Sequence, residues 1–194
     1  MTVISKRHES FARVFAAVAD SVTKWDAPTP LAEWTAGDIV EHLLDWFPGA
    51  LQSWTGDTVS DVPSRGLAER FRLRSVEIQA LLDDRATAEK VIESGDLAGL
   101  TLAEAIDRFY NVDLFVHTWD LARASGADVI LDPAYAAALH ESMLPNSDAM
   151  RAPGLFGPVV DTDSTDPVDR LVAFLGRDPR WSPVAEPVTE PVTV

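Results

Sequence analysis

Ionisable side chains at metal-ligand spacing lie in the run NVDLFVHTWDLARASG, residues 111–126. Asp113 and His117 are four residues apart, so on a helix they share one face and lie one turn apart. A carboxylate oxygen and an imidazole nitrogen placed in this way can bind one divalent cation. The pair therefore predicts part of a metal site, with an intrahelical hydrogen bond as the alternative interpretation.

His42 is the candidate for a third ligand. It lies at the edge of the apolar face of a predicted helix, beside Ile39 and Trp46. In an antiparallel bundle such an edge faces a groove between helices, where His42 would complete a two-histidine, one-carboxylate set. Three protein ligands leave a position open for water or substrate, as in catalytic metal sites. A hydrogen-bonded core histidine is the alternative interpretation of His42.

Asp113, His117 and Asp120 all project into the apolar arc of their helix when it is drawn at roughly 100° per residue. The predicted inward residues are Leu102, Ile106, Phe109 and Val116, and the predicted outward residues are Glu104, Asp107, Arg108, Asn111 and Thr118. Because an unpaired carboxylate is costly to bury, we expect a metal ion, an arginine or a protonated histidine to face these groups. For Asp120 we expect a pair with Arg123 or with a helix N-terminus, or a supporting role beside the ligands.

The other aromatic and histidine residues have simpler interpretations. Trp46 and Trp119 are predicted to wall a pocket or to lie in the core. His8 and His140 are predicted on the surface. The sequence contains no Gly-rich phosphate loop, no G-x-S-x-G motif and no H-E-x-x-H motif.

Composition excludes several classes of protein. The 194 residues include no cysteine, which excludes disulfide scaffolds, iron–sulfur clusters and a cysteine nucleophile. Lys and Arg number 16 against 31 Asp and Glu, a net charge of −15. This charge argues against binding to nucleic acid and against docking on an anionic membrane. No run approaches the ~18 apolar residues of a membrane span, so we expect a soluble, cytoplasmic protein.

The chain is predicted to be all-α. Helices are expected over residues 7–22, 35–47, 67–82, 86–92 and 102–125, followed by two short helices that begin at Asp132-Pro133 and Asp166-Pro167. Thr35 with Asp38 and Thr101 with Glu104 form predicted capping boxes, while Pro48-Gly49, Gly126 and Gly176 form predicted stops. The intervening run RAPGLFGPVVDTDSTD is expected to pack as a loop through Leu155, Phe156 and Val159.

One domain accounts for this organisation. Residues 1–183 are predicted to form a helical bundle that holds the metal site. Residues 184–194 repeat the letters EPVT and lack a core-forming pattern, so they are predicted to be a flexible tail.

The runs WDAPTPLAEWTAGDIVEHL, DLFVHTWDLARASG, GLFGPVV and DRLVAFLGRDPRW resemble one group in the DinB/YfiT-like superfamily. This group is related to the N-terminal metal-binding domain of mycothiol-dependent maleylpyruvate isomerase. The resemblance implies a DinB-like four-helix bundle with short extra helices and a divalent metal, commonly zinc, on three side chains. The resemblance implies that the three metal-binding side chains correspond to His42, Asp113 and His117 in this sequence. The isomerase differs at the position of Asp113, where it uses glutamate.

The resemblance implies a metal-dependent transferase or isomerase that uses a low-molecular-weight thiol such as mycothiol and acts on a small molecule. A metal-dependent hydrolase without a thiol is the first alternative, since the same site would serve it. A non-catalytic binding or regulatory bundle is the second. A His/His/Asp set accepts zinc, nickel, manganese or iron. Exposed apolar stripes on the helices would support a homodimer.

Overall fold

The computed structural model describes residues 1–62, 65–151 and 156–183, and this part of the chain is all-α. The α-helices are α1 Val3–Ser21, α2 Ala36–Thr55, α3 Leu67–Asp83, α4 Arg85–Ala88, α5 Leu102–Ala105, α6 Val112–Ser125, α7 Pro133–Met143, α8 Ser147–Arg151 and α9 Pro167–Phe174. A π-helical segment, Ile106–Asn111, joins α5 to α6, and a 3-10 turn, Leu144–Asn146, follows α7. The predicted tail, residues 184–194, and Leu155 lie outside the described residues.

Four long elements form the main bundle. Helix α1 packs on α3 and α6, and α2 packs on the same two helices from the other side. The largest side chains at the centre are fully buried aromatic residues, Phe15, Phe47, Phe71 and Tyr110. Each such side chain removed from water contributes roughly 1.5–3 kcal/mol. The bundle therefore fixes α2 against α6, the two helices that carry the predicted ligands.

A second core lies on the outer side of α6. Helices α7 and α9 pack on each other and bury Phe115 and Val116 of α6 with Leu171 and Phe174 of α9. Phe156 packs against this cluster as predicted, whereas Val159 is 55% exposed, so its predicted packing is wrong. The C-terminal segment is thereby attached to the helix that carries Asp113 and His117.

The helix starts follow the sequence signals. Thr35 and Asp38 form a capping box at the start of α2, and Thr101 and Glu104 form one at α5. Asp132 and Asp166 cap α7 and α9 through their side chains, each directly before a proline. These predictions are confirmed, because a cap depends on residues within one turn of each other.

Helix α2 does not end at Pro48-Gly49, so the predicted stop is wrong. The helix continues through Pro48 to Thr55 and ends at Gly56, whose φ is 75°. Proline removes one backbone hydrogen bond from a helix interior. Burial of Leu51 and packing of Trp54 against the core offset that loss. Tertiary packing therefore overrides the local signal.

The π-helical segment changes which side chains face inward. Each π turn holds more residues than an α turn, so it rotates the following side chains relative to a regular helix. Asn111, predicted to face outward, is fully buried, and Phe109, predicted to face inward, is 37% exposed. Thr118, also predicted outward, is buried, and its hydroxyl donates to the carbonyl of Leu114 one turn earlier.

His8 is fully buried, so its predicted surface position is wrong. Its Nδ1 hydrogen-bonds to Oδ1 of Asn111 at 2.9 Å, across the contact between α1 and the π-helical segment. His140 is partly exposed and lies beside Phe174, with ring centroids 4.9 Å apart. No described helix combines the length and the apolar character that a bilayer span requires.

Candidate metal centre

Helices α2 and α6 bring His42, Asp113 and His117 together. His42 lies in the second turn of α2, directly before the buried Leu43 and Leu44, so its side chain leaves the edge of the apolar face. Asp113 and His117 occupy successive turns of α6, immediately after the π-helical segment. The structure thus places all three predicted ligands at one point between two helices.

The ligand atoms lie at distances suited to a shared cation. Nε2 of His42 is 2.8 Å from Oδ2 of Asp113, and Nε2 of His117 is 3.2 Å from Oδ1 of the same carboxylate. One ligand atom from each residue lies within 4.8 Å of the other two. Ligands at ~2.1 Å from a tetrahedral zinc ion are about 3.4 Å apart, so modest side-chain rotation accommodates an ion. Two imidazoles and one carboxylate fit zinc and related divalent metals.

One side of this centre faces solvent. The His42 side chain is 33% exposed and that of Asp113 is 28% exposed, whereas His117 is 6% exposed. The cleft that opens beside the centre is lined by residues of α2, among them His42, and by the segment directly before that helix. A ligand that reaches the centre approaches past His42.

Asp113 and His117 shift the pKa of each other. Burial alone would raise the pKa of Asp113, but the His117 charge and hydrogen bonds from both histidines outweigh it and hold that pKa well below its ordinary value. Burial alone would lower the pKa of His117, but Asp113 and Asp120 reverse this and raise it to about 9. A proton and a metal ion therefore compete for the same imidazole.

Asp120 supports His117, and its charge partner is Arg177. Oδ2 of Asp120 is 3.0 Å from Nδ1 of His117, the arrangement in which a carboxylate fixes the tautomer of a metal-binding histidine. The predicted pair with Arg123 is wrong, because that guanidinium donates to the carbonyl of Pro179 and lies 5.0 Å from the ring centroid of Trp119. The partner of a buried carboxylate can come from any distance along the chain.

Arg177 lies three residues after the end of α9 and was missed by the sequence analysis. Its Nη2 donates to Oδ2 of Asp120 at 3.0 Å, and its Nη1 donates to the carbonyl of Leu175 at 3.0 Å. The preceding Gly176 has a φ of 89° and packs against the backbone of Gly157. The one sequence signal is an arginine immediately after a helix-ending glycine, in the run LGRDPRW.

Two tryptophans frame the centre. Nε1 of Trp46 donates to Oδ2 of Asp113 at 3.0 Å, and Trp46 lines the cleft beside His42. Trp34 lies nearly parallel to the His117 ring, with centroids 5.8 Å apart. Its centroid is also 5.1 Å from that of His42. Trp119 is buried under Arg123 and does not line the cleft beside His42.

Comparisons with known proteins identify relatives without assigning a function. Two proteins from different strains of Mycobacterium tuberculosis, both named as uncharacterized, are 29% identical to this chain over 187 residues. The alignment covers 89% of this chain and 97% of each relative. No protein-family profile matches the sequence, and no solved structure matches it.

Proposed function

We propose that this protein is a divalent-metal-dependent enzyme of the DinB/YfiT-like superfamily. In this proposal it transfers or isomerises a small molecule with the help of a low-molecular-weight thiol of the mycothiol type. The observation that carries the proposal is the convergence of His42, Asp113 and His117 from two helices. The sequence runs that resemble the mycothiol-dependent maleylpyruvate isomerase group, and the helical bundle itself, support the same assignment.

Zinc is the metal we propose, since imidazole and carboxylate ligands suit it, and nickel, manganese or iron would accept the same residues. A bound divalent cation supplies Lewis acidity, which lowers the pKa of a coordinating thiol or water. The sequence has no cysteine, so thiol chemistry at this centre needs a thiol that enters as a ligand.

The surrounding residues have separate tasks in this proposal. Asp120 accepts the Nδ1 proton of His117, which leaves Nε2 of that ring free to coordinate. Trp46 holds the Asp113 carboxylate by a hydrogen bond from its indole nitrogen. Trp34 covers the two imidazole rings and limits the access of water to one side.

Calorimetric titration of zinc-loaded protein with mycothiol tests the thiol part of the proposal. The control ligand is the analogue in which a hydroxyl replaces the thiol, and the control protein is metal-free. We expect saturable binding that requires both the metal and the thiol group. Equal binding of the hydroxyl analogue, or of mycothiol to metal-free protein, would contradict thiol coordination.

The hydrolase alternative is tested on the same preparation. Zinc-loaded protein that cleaves activated esters without any thiol, and is not accelerated by mycothiol, would replace the transferase proposal with a metal-dependent hydrolase. Under the thiol proposal we expect ester cleavage to stay at the level of the His42→Ala variant. Comparison of wild type with His42→Ala isolates the effect of the metal centre on ester cleavage, because the two proteins differ only at His42.

A further inference from the structure

The cleft beside the candidate metal centre is lined by acidic and aromatic side chains, which coordination of a thiol to a metal does not by itself require. It has a volume of about 590 Å³, within the ~300–1,000 Å³ range of small-molecule sites. Its wall combines four carboxylates, two tryptophans and one predicted ligand: Glu33, Trp34, Asp38, Glu41, His42, Asp45 and Trp46. A molecule bound at the metal would extend along this wall.

The carboxylates form an exposed rim. Asp38 is part of the α2 capping box and accepts the backbone N–H of Thr35 at 2.8 Å. Glu41 is 53% exposed, and its Oε1 lies 3.7 Å from Nη1 of Arg70. This ion pair brings an arginine to the rim. Glu33 and Asp45 add two further exposed carboxylates. The rim therefore combines four carboxylates, one of which is paired with the guanidinium of Arg70.

The tryptophan rings favour the same class of ligand as the carboxylates. The centroid of Trp34 is 5.1 Å from that of His42, and the centroid of Trp46 is 6.4 Å from it. Tryptophan faces attract cations through the ring quadrupole, and a groove of one charge sign concentrates ligands of the opposite sign. Both indoles line the same cleft as the four carboxylates, so an ammonium group bound there can contact an aromatic ring and a carboxylate together.

We propose that this cleft binds a ligand with a metal-coordinating donor at one end and an ammonium group at the other. The inference rests on the proposed function, since the donor end is placed by the metal centre. The ammonium end lies between the tryptophan rings and the rim that contains Glu33 and Asp45. A ligand with an anionic tail is disfavoured by the same charges.

Three small thiols of equal chain length test the charge preference. They are thiocholine, 2-mercaptoethanol and 2-mercaptoethanesulfonate, whose tails are positive, neutral and negative and do not compete for the metal. The readout is the thiolate-to-cobalt charge-transfer absorption of protein loaded with cobalt(II), which the cysteine-free chain cannot itself produce. We expect thiocholine to bind more tightly than the sulfonate, with a preference that weakens as salt is added.

Variants separate the effect of the cleft from the intrinsic acidity of each thiol. Glu33→Gln with Asp45→Asn removes two rim charges and leaves the capping box and the Arg70 ion pair in place. We expect this double variant to lower the thiocholine-to-sulfonate preference by about tenfold. The matched control is Glu93→Gln with Asp96→Asn, two exposed carboxylates that do not line the cleft. We expect the control to keep the wild-type preference.

The outcomes distinguish this inference from the proposed function. Protein that binds cobalt and all three thiols, but keeps its preference in the Glu33/Asp45 variant or favours the sulfonate, overturns the ammonium proposal and leaves the metal centre intact. Protein that binds cobalt no better than the His42→Ala variant overturns the metal centre and the ammonium proposal with it.

Discussion

Arg177 and Asp120 form a fully buried ion pair that joins the C-terminal segment to the candidate metal centre. Nη2 of the arginine lies 3.0 Å from Oδ2 of the aspartate, and the two side chains are 5% and 0% exposed. Burial alone would raise the pKa of Asp120, but the Arg177 charge and the hydrogen bond from His117 hold it below its ordinary value. The carboxylate beside His117 therefore stays ionised and oriented.

Replacement of Arg177 is expected to weaken both the fold and metal binding. Arg177→Ala leaves Asp120 buried without its cation, which costs about 3–5 kcal/mol of unfolding free energy. Arg177→Lys keeps the charge but loses the forked donor geometry, and we expect its zinc affinity to fall by about 10–100-fold. The control is Arg180→Ala, since the Arg180 side chain is 83% exposed. Unchanged zinc affinity in Arg177→Lys would show that this pair does not support the ligand.

Gly176 is expected to tolerate no side chain. Its φ is 89°, and a Cβ there would lie 2.8 Å from Cα of Gly157. The left-handed conformation costs an L-residue roughly 1–2 kcal/mol, and the backbone overlap adds to it. Gly126 has a φ of 72° and no atom within 4 Å of its added Cβ, so Gly126→Ala measures the conformational cost alone. Urea denaturation should show the larger loss for Gly176→Ala; equal losses would contradict the close packing.

His8 is expected to make stability fall in mild acid. Burial lowers the pKa of His8 below its ordinary value, with hydrogen bonds to Asn111 and Ser75 opposing it in part. Between the folded and the unfolded pKa, the unfolded chain binds a proton that the folded chain excludes. The contribution of His8 to the free energy of unfolding is therefore complete above about pH 6.5 and is lost as the pH falls through the folded pKa. From about pH 7 to about pH 5.5, wild type should lose more unfolding free energy than His8→Gln, by at most about 1.4 kcal/mol per pH unit. Parallel losses in the two proteins would be the contrary result.

In metal-free protein, His117 is expected to make the free energy of unfolding fall as the pH rises, which is the opposite of the effect of His8. Its pKa is raised to about 9 because Asp113 and Asp120 outweigh the effect of burial. The stabilising contribution of its proton is complete below about pH 6.5 and is lost as the pH rises through about 9. Zinc must displace that proton, so its affinity should increase over the same range. A zinc affinity that stays constant across these pH values would contradict this assignment.

The features that could be predicted from the sequence are those that depend on residues close together in the chain. The caps at Thr35 and Thr101, and the shared face of Asp113 and His117, depend on residues within one or two turns and were predicted correctly. The position of His42 also followed from the apolar face of its own helix. These features needed no knowledge of the tertiary structure.

The rest depends on contacts that are distant in sequence. Continuation of α2 through Pro48 reflects the burial of Leu51, which local propensity does not contain. The π-helical segment shifted the predicted faces of Phe109 and Asn111, because a fixed period assumes a regular helix. The partner of Asp120 lies 57 residues away, so nearby Arg123 was the natural but wrong choice.

Metal content is the most direct test of the central claim that His42, Asp113 and His117 form one metal centre. Tag-free protein is purified without chelator, loaded with zinc and passed through gel filtration. It should then retain about one equivalent of zinc, measured by elemental mass spectrometry. The His42→Ala and His117→Ala variants, shown to be folded by circular dichroism, should each lose it, while His140→Ala, on α7, should keep it. Folded wild-type protein that retains no zinc, nickel, manganese or iron, or variants that retain the metal of the wild type, would contradict the account.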